Sequence, residues 1–443
     1  MESIYLYINV ILLFLICVIY LFLLKSTRAP RLFIFYLLCF VLFNESHIIL
    51  TVLSDFKFGN SSWFFLGGFS DEIKFQMVNS LNSYIIGMIL SMCLFSSLRY
   101  KPYRYMKNAK FVKKISLIIY IISIPFVLKY LIALFLLIRS NGFYAIYELG
   151  GVSGSGILDV MFIALYSLLI NSEKKIRISI LIVLSSLIYI VIGLRLEFIF
   201  KIFPVVFYFV CLRYQPRRMF TKKVGWIFLS VFVLIYIMQY SVNSRNNDVT
   251  GDAEQSFVYN FLSQQGVSIN VLGMAIKEEK NTLLQPTVIL APIIEPIKVY
   301  IDKIVNNNIQ IGNSSQYAES SLSLSHKLSY IEDRDAYLKG YGVGGSAIAE
   351  LYLLGGTLGC FIGGFFTFIF ILIIERIATM NLFFTLFAMG ASAKMIYSPR
   401  GEYLSFLSLD RATLLLVFIS IIVLLLKNLS IPKRFHDGKN NET

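Results

Sequence analysis

The chain has 443 residues, 57% of them hydrophobic, with a mean hydropathy of +0.72. Apolar runs of about 20 residues recur, enough to cross about 30 Å of hydrocarbon, which excludes a soluble globular protein. The alternating strands of a membrane β-barrel are absent. The net charge of +14 sits in short stretches between the runs, where it reads as topology and not as a nucleic-acid surface.

The sequence predicts an all-α polytopic integral membrane protein with about 11 transmembrane helices. Met1–Leu24 has Glu2 and no basic leader, so it reads as a retained first span, 3–24, and not a cleaved signal. Further spans follow at 32–53, 77–98, 115–138, 157–171, 178–194, 197–212 and 224–240, completing a first membrane region, 1–240. A large polar loop fills 241–345. Spans at 346–374, 379–396 and 411–426 close the membrane region 346–426, and 427–443 is a tail. Basic clusters alternate along this order: Lys25 to Arg31, Arg99 to Lys114, Lys174 to Arg177, Arg213 to Lys223, and Lys427 to Arg434. Placing them all in the cytoplasm puts the N-terminus and 241–345 outside and the tail inside. Within the loop, Phe257, Phe261 and Leu262 have helical spacing. Val288–Ile301 is apolar but broken by Pro292 and Pro296, which predicts a re-entrant or interfacial segment. The five cysteines lie in apolar runs without metal-ligand spacing and read as small hydrophobes.

Charged groups at membrane mouths are costly, so they are the first candidates for function. Arg195 stands in Gly193-Leu-Arg-Leu-Glu197, with a very tight turn expected at 195–196. It either pairs with Glu197 to close a helical hairpin or clamps a phosphate with its bidentate fork. Arg400 and Glu402 repeat the pattern in Ser398-Pro-Arg400-Gly-Glu402, where Pro399 and Gly401 break the helix. Arg245 reads as a phosphate ligand or a helix C-terminal cation, and Arg411 as a ligand or an interface anchor. His47 beside Glu45 reads as a packed polar pair. His326 is the one outer-loop histidine, a general base, a phosphate ligand or a merely solvated side chain. Gly342, Gly344, Gly345 and Ser346 lead into span nine, where Glu350 is either a buried acid paired with an arginine or a catalytic base. No zinc spacing, nucleotide loop or dinucleotide fingerprint is present, and no cofactor is expected.

Leu324-Ser-His326-Lys-Leu-Ser-Tyr330, then Tyr337-Leu-Lys-Gly340-Tyr-Gly-Val-Gly-Gly-Ser346-Ala-Ile-Ala-Glu350, then Gly355-Gly-Thr-Leu-Gly359, resemble the Wzy O-antigen polysaccharide polymerases. The span pattern and the large late loop extend the resemblance over nearly the whole chain. It implies a GT-C-like bundle with one large extracytoplasmic loop in the bacterial inner membrane, its active site facing the periplasm. The implied reaction transfers a growing glycan from undecaprenyl diphosphate to a new lipid-linked repeat unit. Arg195, Arg245, Arg400 and Arg411 would then hold the diphosphate, and His326, Glu350 or Glu402 would take the acceptor proton. Glu197, Gly342, Gly344, Gly345 and Ser346 would support them. The implied partners are the lipid-linked oligosaccharide, the bilayer, and a chain-length regulator and flippase of the same pathway. An O-antigen ligase uses the same chemistry. A transporter of lipid-linked glycan is the reading from another class, but charge gathered on one face without internal repeats favours an enzyme.

Overall fold

The computed structural model describes residues 2–25, 30–54, 56–59, 68–95, 110–141, 156–192, 194–212, 257–305 and 312–408. The regular secondary structure among these residues is all helical, and no strand occurs among them. The first membrane region contains α1 (Glu2–Lys25), α2 (Leu32–Leu53), α3 (Asp71–Phe95), α4 (Lys110–Asn141), α5 (Gly156–Asn171), α6 (Lys175–Ile192) and α7 (Arg195–Phe207). The loop region contributes α8 (Phe257–Gln265), α9 (Ser268–Lys277), α10 (Ala291–Val305), α11 (Ser315–Ser320), α12 (Leu324–Glu332) and α13 (Arg334–Leu338). The apolar α14 (Ala347–Ile377) and α15 (Leu382–Tyr397) follow. Five segments are long and apolar enough to cross a membrane: Ile4–Leu24 of α1, α2, α3, α4 and α14. Shorter helices α5, α6, α7 and α15 fall on four further predicted runs. The runs at 224–240 and 411–426 lie outside the described residues, as do Arg245 and Arg411.

Glycine lets the central helices touch backbone to backbone. A Cβ on Gly87 of α3 would lie 2.1 Å from the Phe361 carbonyl oxygen, and one on Gly364 of α14 only 2.0 Å from that of Tyr84. Within lipid no hydrophobic force drives helices together, so such close van der Waals approach is what packs them. A buried polar chain adds to it. The Tyr36 and Tyr84 hydroxyls are bonded to each other, Tyr84 is bonded to Thr367 at 2.7 Å, and Tyr403 donates to the Gly363 carbonyl at 2.6 Å. Three helices and the segment after α15 are tied by these contacts.

The two ends of the bundle differ. At one, Arg31 donates to the Val210 carbonyl at 2.7 Å, Glu375 accepts from the Leu32 N–H, and Lys175 donates to the Tyr208 hydroxyl. Arg31 and Lys175 come from two of the basic clusters that the sequence places on one side. At the other end, Asn44 donates to the Pro399 carbonyl at 3.2 Å, and His47 bonds the Ser263 carbonyl at 2.7 Å. Asn44 and Glu45 lie in a π-helical turn, Val41–Glu45, that widens α2 there. The expected His47–Glu45 pair does not form. Residues two apart on a helix point in different directions, and Glu45 instead accepts from Asn9 at 3.5 Å.

The apolar run of α14 is not the single span the sequence predicts. Gly355 (φ −170°, ψ 33°) and Gly356 (φ 59°, ψ −145°) are non-helical and divide it into arms 347–354 and 357–377. The arms double back. A Cβ on Gly359 would lie 2.2 Å from the Leu351 carbonyl oxygen, one on Gly363 would strike the Leu351 side chain, and the Cys360 thiol reaches the Ile348 carbonyl at 3.7 Å. In a continuous helix, residues twelve apart are about 18 Å apart. The second arm, about 31 Å long, matches the hydrocarbon thickness, while the first, about 12 Å, cannot cross it. Hydropathy alone does not register this break, because glycine interrupts a helix without reducing apolarity.

Candidate active site

The two sequence motifs singled out above meet at the end of the bundle carrying Asn44 and His47. The glycine-rich stretch has no side chains at the contact, so its backbone lies directly on the 398–403 segment. A Cβ on Gly345 would be 3.2 Å from the Gly401 carbonyl carbon. Gly344 has φ +78°, in the left-handed region that glycine enters without strain. Ser346 then caps the first arm of α14, accepting from the Ala349 N–H at 3.4 Å.

One turn into that arm, Glu350 is fully buried. Its Oε2 accepts the Tyr403 N–H at 2.8 Å, and its Oε1 has no hydrogen-bond partner. Of the two alternatives the sequence offers, an arginine partner is not found among the described residues. The backbone of the neighbouring motif takes that place, and the buried free oxygen is a costly feature to retain.

Arg400 is partly buried, its guanidinium carbon 5.4 Å from the centre of the Phe43 ring, and Nη1 donates to Gln265 Oε1 at 2.7 Å. Gln265, the last residue of α8, carried no sequence signal, since a polar residue in a polar loop is unremarkable. A hydrogen bond to a charged group contributes about 1.5–3 kcal/mol. Gln265→Ala is therefore expected to shorten or thin the polymer ladder by about tenfold in yield, and an unchanged ladder would mean Arg400 is held in place without it.

Glu402 does not pair with Arg400. Its Oε1 accepts from the Ser323 hydroxyl at 3.2 Å. Burial pushes its carboxyl above the usual range and the charge of Glu295 adds to this, against the Ser323 bond and the charge of Lys394. Ser323 leads directly into α12, so this bond joins the 398–403 segment to the helix that carries His326. Ser329 of the same helix accepts the Val343 N–H at 3.0 Å, fastening the glycine-rich stretch to it.

His326 is not a solvated loop residue. Its ring packs edge-on against Tyr317 at 4.9 Å and Tyr337 at 5.8 Å, and Nδ1 is 2.9 Å from the Tyr337 hydroxyl. Burial lowers its pKa from the ordinary value, and the nearby Glu295 charge only partly opposes this. The imidazole is therefore neutral near pH 7, the form that accepts a proton. This state favours a base over a cationic phosphate ligand.

Arg195 is the first residue of α7 and Leu194 its N-cap, so 195–196 is helical and not the tight turn the sequence predicts. The Arg195 side chain lies outside what is described. The Glu197 carboxylate is 3.9 Å from Lys201, which is 2.8 Å from Asp159. Glu197 thus belongs to a triad with Asp159 and with Lys201, one turn along its own helix, and the expected pair with Arg195 falls outside what is described. Phe200 packs on Tyr397 with ring centres 5.5 Å apart, which sets the first half of α7 beside the end of α15 and hence near the Arg400 segment. Arg334, another arginine of the 241–345 region, covers the Tyr330 ring at 5.3 Å.

His326, Glu350, Arg400 and Glu402 are thus linked through a few hydrogen-bonded segments at one end of an apolar bundle. Comparison with curated proteins and with solved structures finds no match for this chain. The family model described as O-antigen polysaccharide polymerase Wzy matches residues 2–432, nearly the whole chain. The chain therefore belongs to the O-antigen polysaccharide polymerases, bacterial membrane proteins of lipopolysaccharide biosynthesis that carry out a glycosyltransferase-type polymerisation.

Proposed function

We propose that the protein sits in the inner membrane and polymerises O-antigen on its periplasmic side, with the growing glycan on undecaprenyl diphosphate as donor and a lipid-linked repeat unit as acceptor. The acceptor hydroxyl oxygen attacks the anomeric carbon of the donor. The bond from that carbon to the diphosphate oxygen breaks, its electron pair leaving with undecaprenyl diphosphate. The hydroxyl proton passes to the neutral imidazole of His326. For this step Nδ1–H must point to the Tyr337 oxygen, leaving Nε2 bare. Negative charge grows on the diphosphate as the bond breaks, so preorganised arginines stabilise the transition state more than the ground state. Arg400 is one such group. Arg195 is the second: it opens a helix whose free N–H groups also attract anions, and a cation there is otherwise disfavoured by the helix dipole. Arg245 and Arg411 complete the proposed set. The observation that carries this reading is the junction of Gly345 with Gly401 and of Ser323 with Glu402, which brings Arg400 and the His326 helix together in a chain of the polymerase family.

Lipopolysaccharide from a deletion strain, resolved on a silver-stained gel, tests the function. A single repeat on the core is the expected result; a core without any repeat would instead identify a ligase or flippase. His326→Ala is expected to leave the single repeat dominant with faint longer bands, since a general base contributes about 10²–10⁴-fold. His326→Arg and His326→Gln are expected to fail alike. Recovery in the arginine variant alone would reassign His326 to phosphate binding.

A further inference from the structure

The 321–323 segment that leads into α12 is held from two sides. On one side Glu402 accepts from the Ser323 hydroxyl at 3.2 Å. On the other, Glu295 Oε2 accepts the Leu322 N–H at 2.9 Å. Glu295 lies on α10, and its second oxygen is buried without a hydrogen-bond partner. Its charge acts on Tyr317, on His326 and on Glu402. The helix that carries it is amphipathic. Ile294, Ile297 and Ile301 are exposed, whereas Lys298 donates to the Ser320 carbonyl.

We propose that Glu295 is a positioning residue for His326: its carboxylate anchors the segment from which α12 starts, between Tyr317, which packs on the imidazole, and the helix that carries His326. This rests on the reading of His326 as the base. Besides Glu295 on α10, Tyr317 on α11 and Tyr337 on α13 pack on the ring, Tyr330 of α12 packs on Tyr337, and Lys327 is the next residue of α12. Lys298 acts on Lys327, and Glu402 lies beyond Ser323. Glu295 is the carboxylate among them that bears on the imidazole.

The chain has three histidines, so labelled imidazole signals of the full-length protein in detergent micelles can be assigned by comparison with His326→Gln. Because the Glu295 charge raises the His326 pKa, Glu295→Gln is expected to lower the His326 titration midpoint while leaving His47 and His436 unmoved. A midpoint unchanged or raised overturns the proposal, whatever the enzyme's activity. In membranes supplied with lipid-linked repeat units, Glu295→Ala is expected to slow polymerisation by about 10²-fold, the scale of a small misplacement of a reacting group. Glu295→Gln keeps an acceptor for the Leu322 N–H, so most of the rate should return at pH 7.5. Its acid limb should move to lower pH, because less acid is then tolerated before the base is protonated in the wild type than in the variant. Full activity in Glu295→Ala overturns the proposal. Wild-type membranes that make no polymer would overturn the proposed function instead, and the titration still decides the role of Glu295.

Discussion

Arg400→Ala is expected to abolish polymer while the protein remains in the membrane at its normal amount. The guanidinium is fixed by Gln265 and the Phe43 ring, and it follows Pro399, whose carbonyl is held by Asn44. It is therefore fixed in place without substrate, and under the proposed function it needs no reorganisation as charge develops on the leaving diphosphate. Removing one such preorganised donor costs about 10²–10³-fold in rate. Arg400→Lys should recover little. An ammonium keeps the charge but lacks the planar fork, which holds Gln265 with one nitrogen and, under the proposed function, phosphate oxygens with the others. Ladder length on a gel, with immunoblotting for the protein, checks both variants. A normal ladder in Arg400→Ala would remove this residue from the site, and a normal ladder in Arg400→Lys would mean that only its charge is used.

The second large effect is expected at Gly356. With φ 59° and ψ −145° it occupies a region essentially closed to residues with a Cβ. Space is not the issue, since a Cβ there meets nothing within 4 Å. Strain is, at about 1–3 kcal/mol. The sequence offers a ready escape, because an apolar run with alanine or valine at this position is a good continuous helix, about 46 Å long. Straightening would carry Glu350 away from the Tyr403 N–H and pull Gly345 off Gly401. Gly356→Val is thus expected to eliminate polymer, with Gly356→Ala intermediate. A disulfide between cysteines placed at 348 and 360 would report whether the arms still meet. Efficient cross-linking in Gly356→Val, together with normal activity, would refute the strain argument.

The membrane helices were legible because lipid imposes one simple condition, an apolar run long enough to satisfy every backbone group internally. The ends of α1, α2 and α5 follow the predicted bounds closely for that reason. The doubling back of α14 was not legible, since hydropathy records apolarity while Gly355 and Gly356 act through backbone torsion. At the site, the signal was charge where charge is costly. It pointed to Arg400, Glu402 and Glu350, which the fold joins. It missed Gln265, a polar residue in a polar loop, and Glu295, an acid within the apolar Val288–Ile301 stretch, because their contacts come only from what folds against them. It gave no sign of the Glu197–Lys201 contact, which arises because a helix places its fourth neighbour on the same face.

The contacts of residues 398–403 also fix an order of events during synthesis. Pro399 closes on Asn44, made 355 residues earlier, and at about 5–20 residues per second roughly 20–70 s separate the two. Gln265, Ser323 and Glu350 all wait for the same six residues to provide Arg400, Glu402 and the Tyr403 N–H. Until that segment emerges, the earlier helices stand in the bilayer without their shared fastening. A nascent chain would therefore be inert until residues 398–403 have been made and have closed on the helices before them.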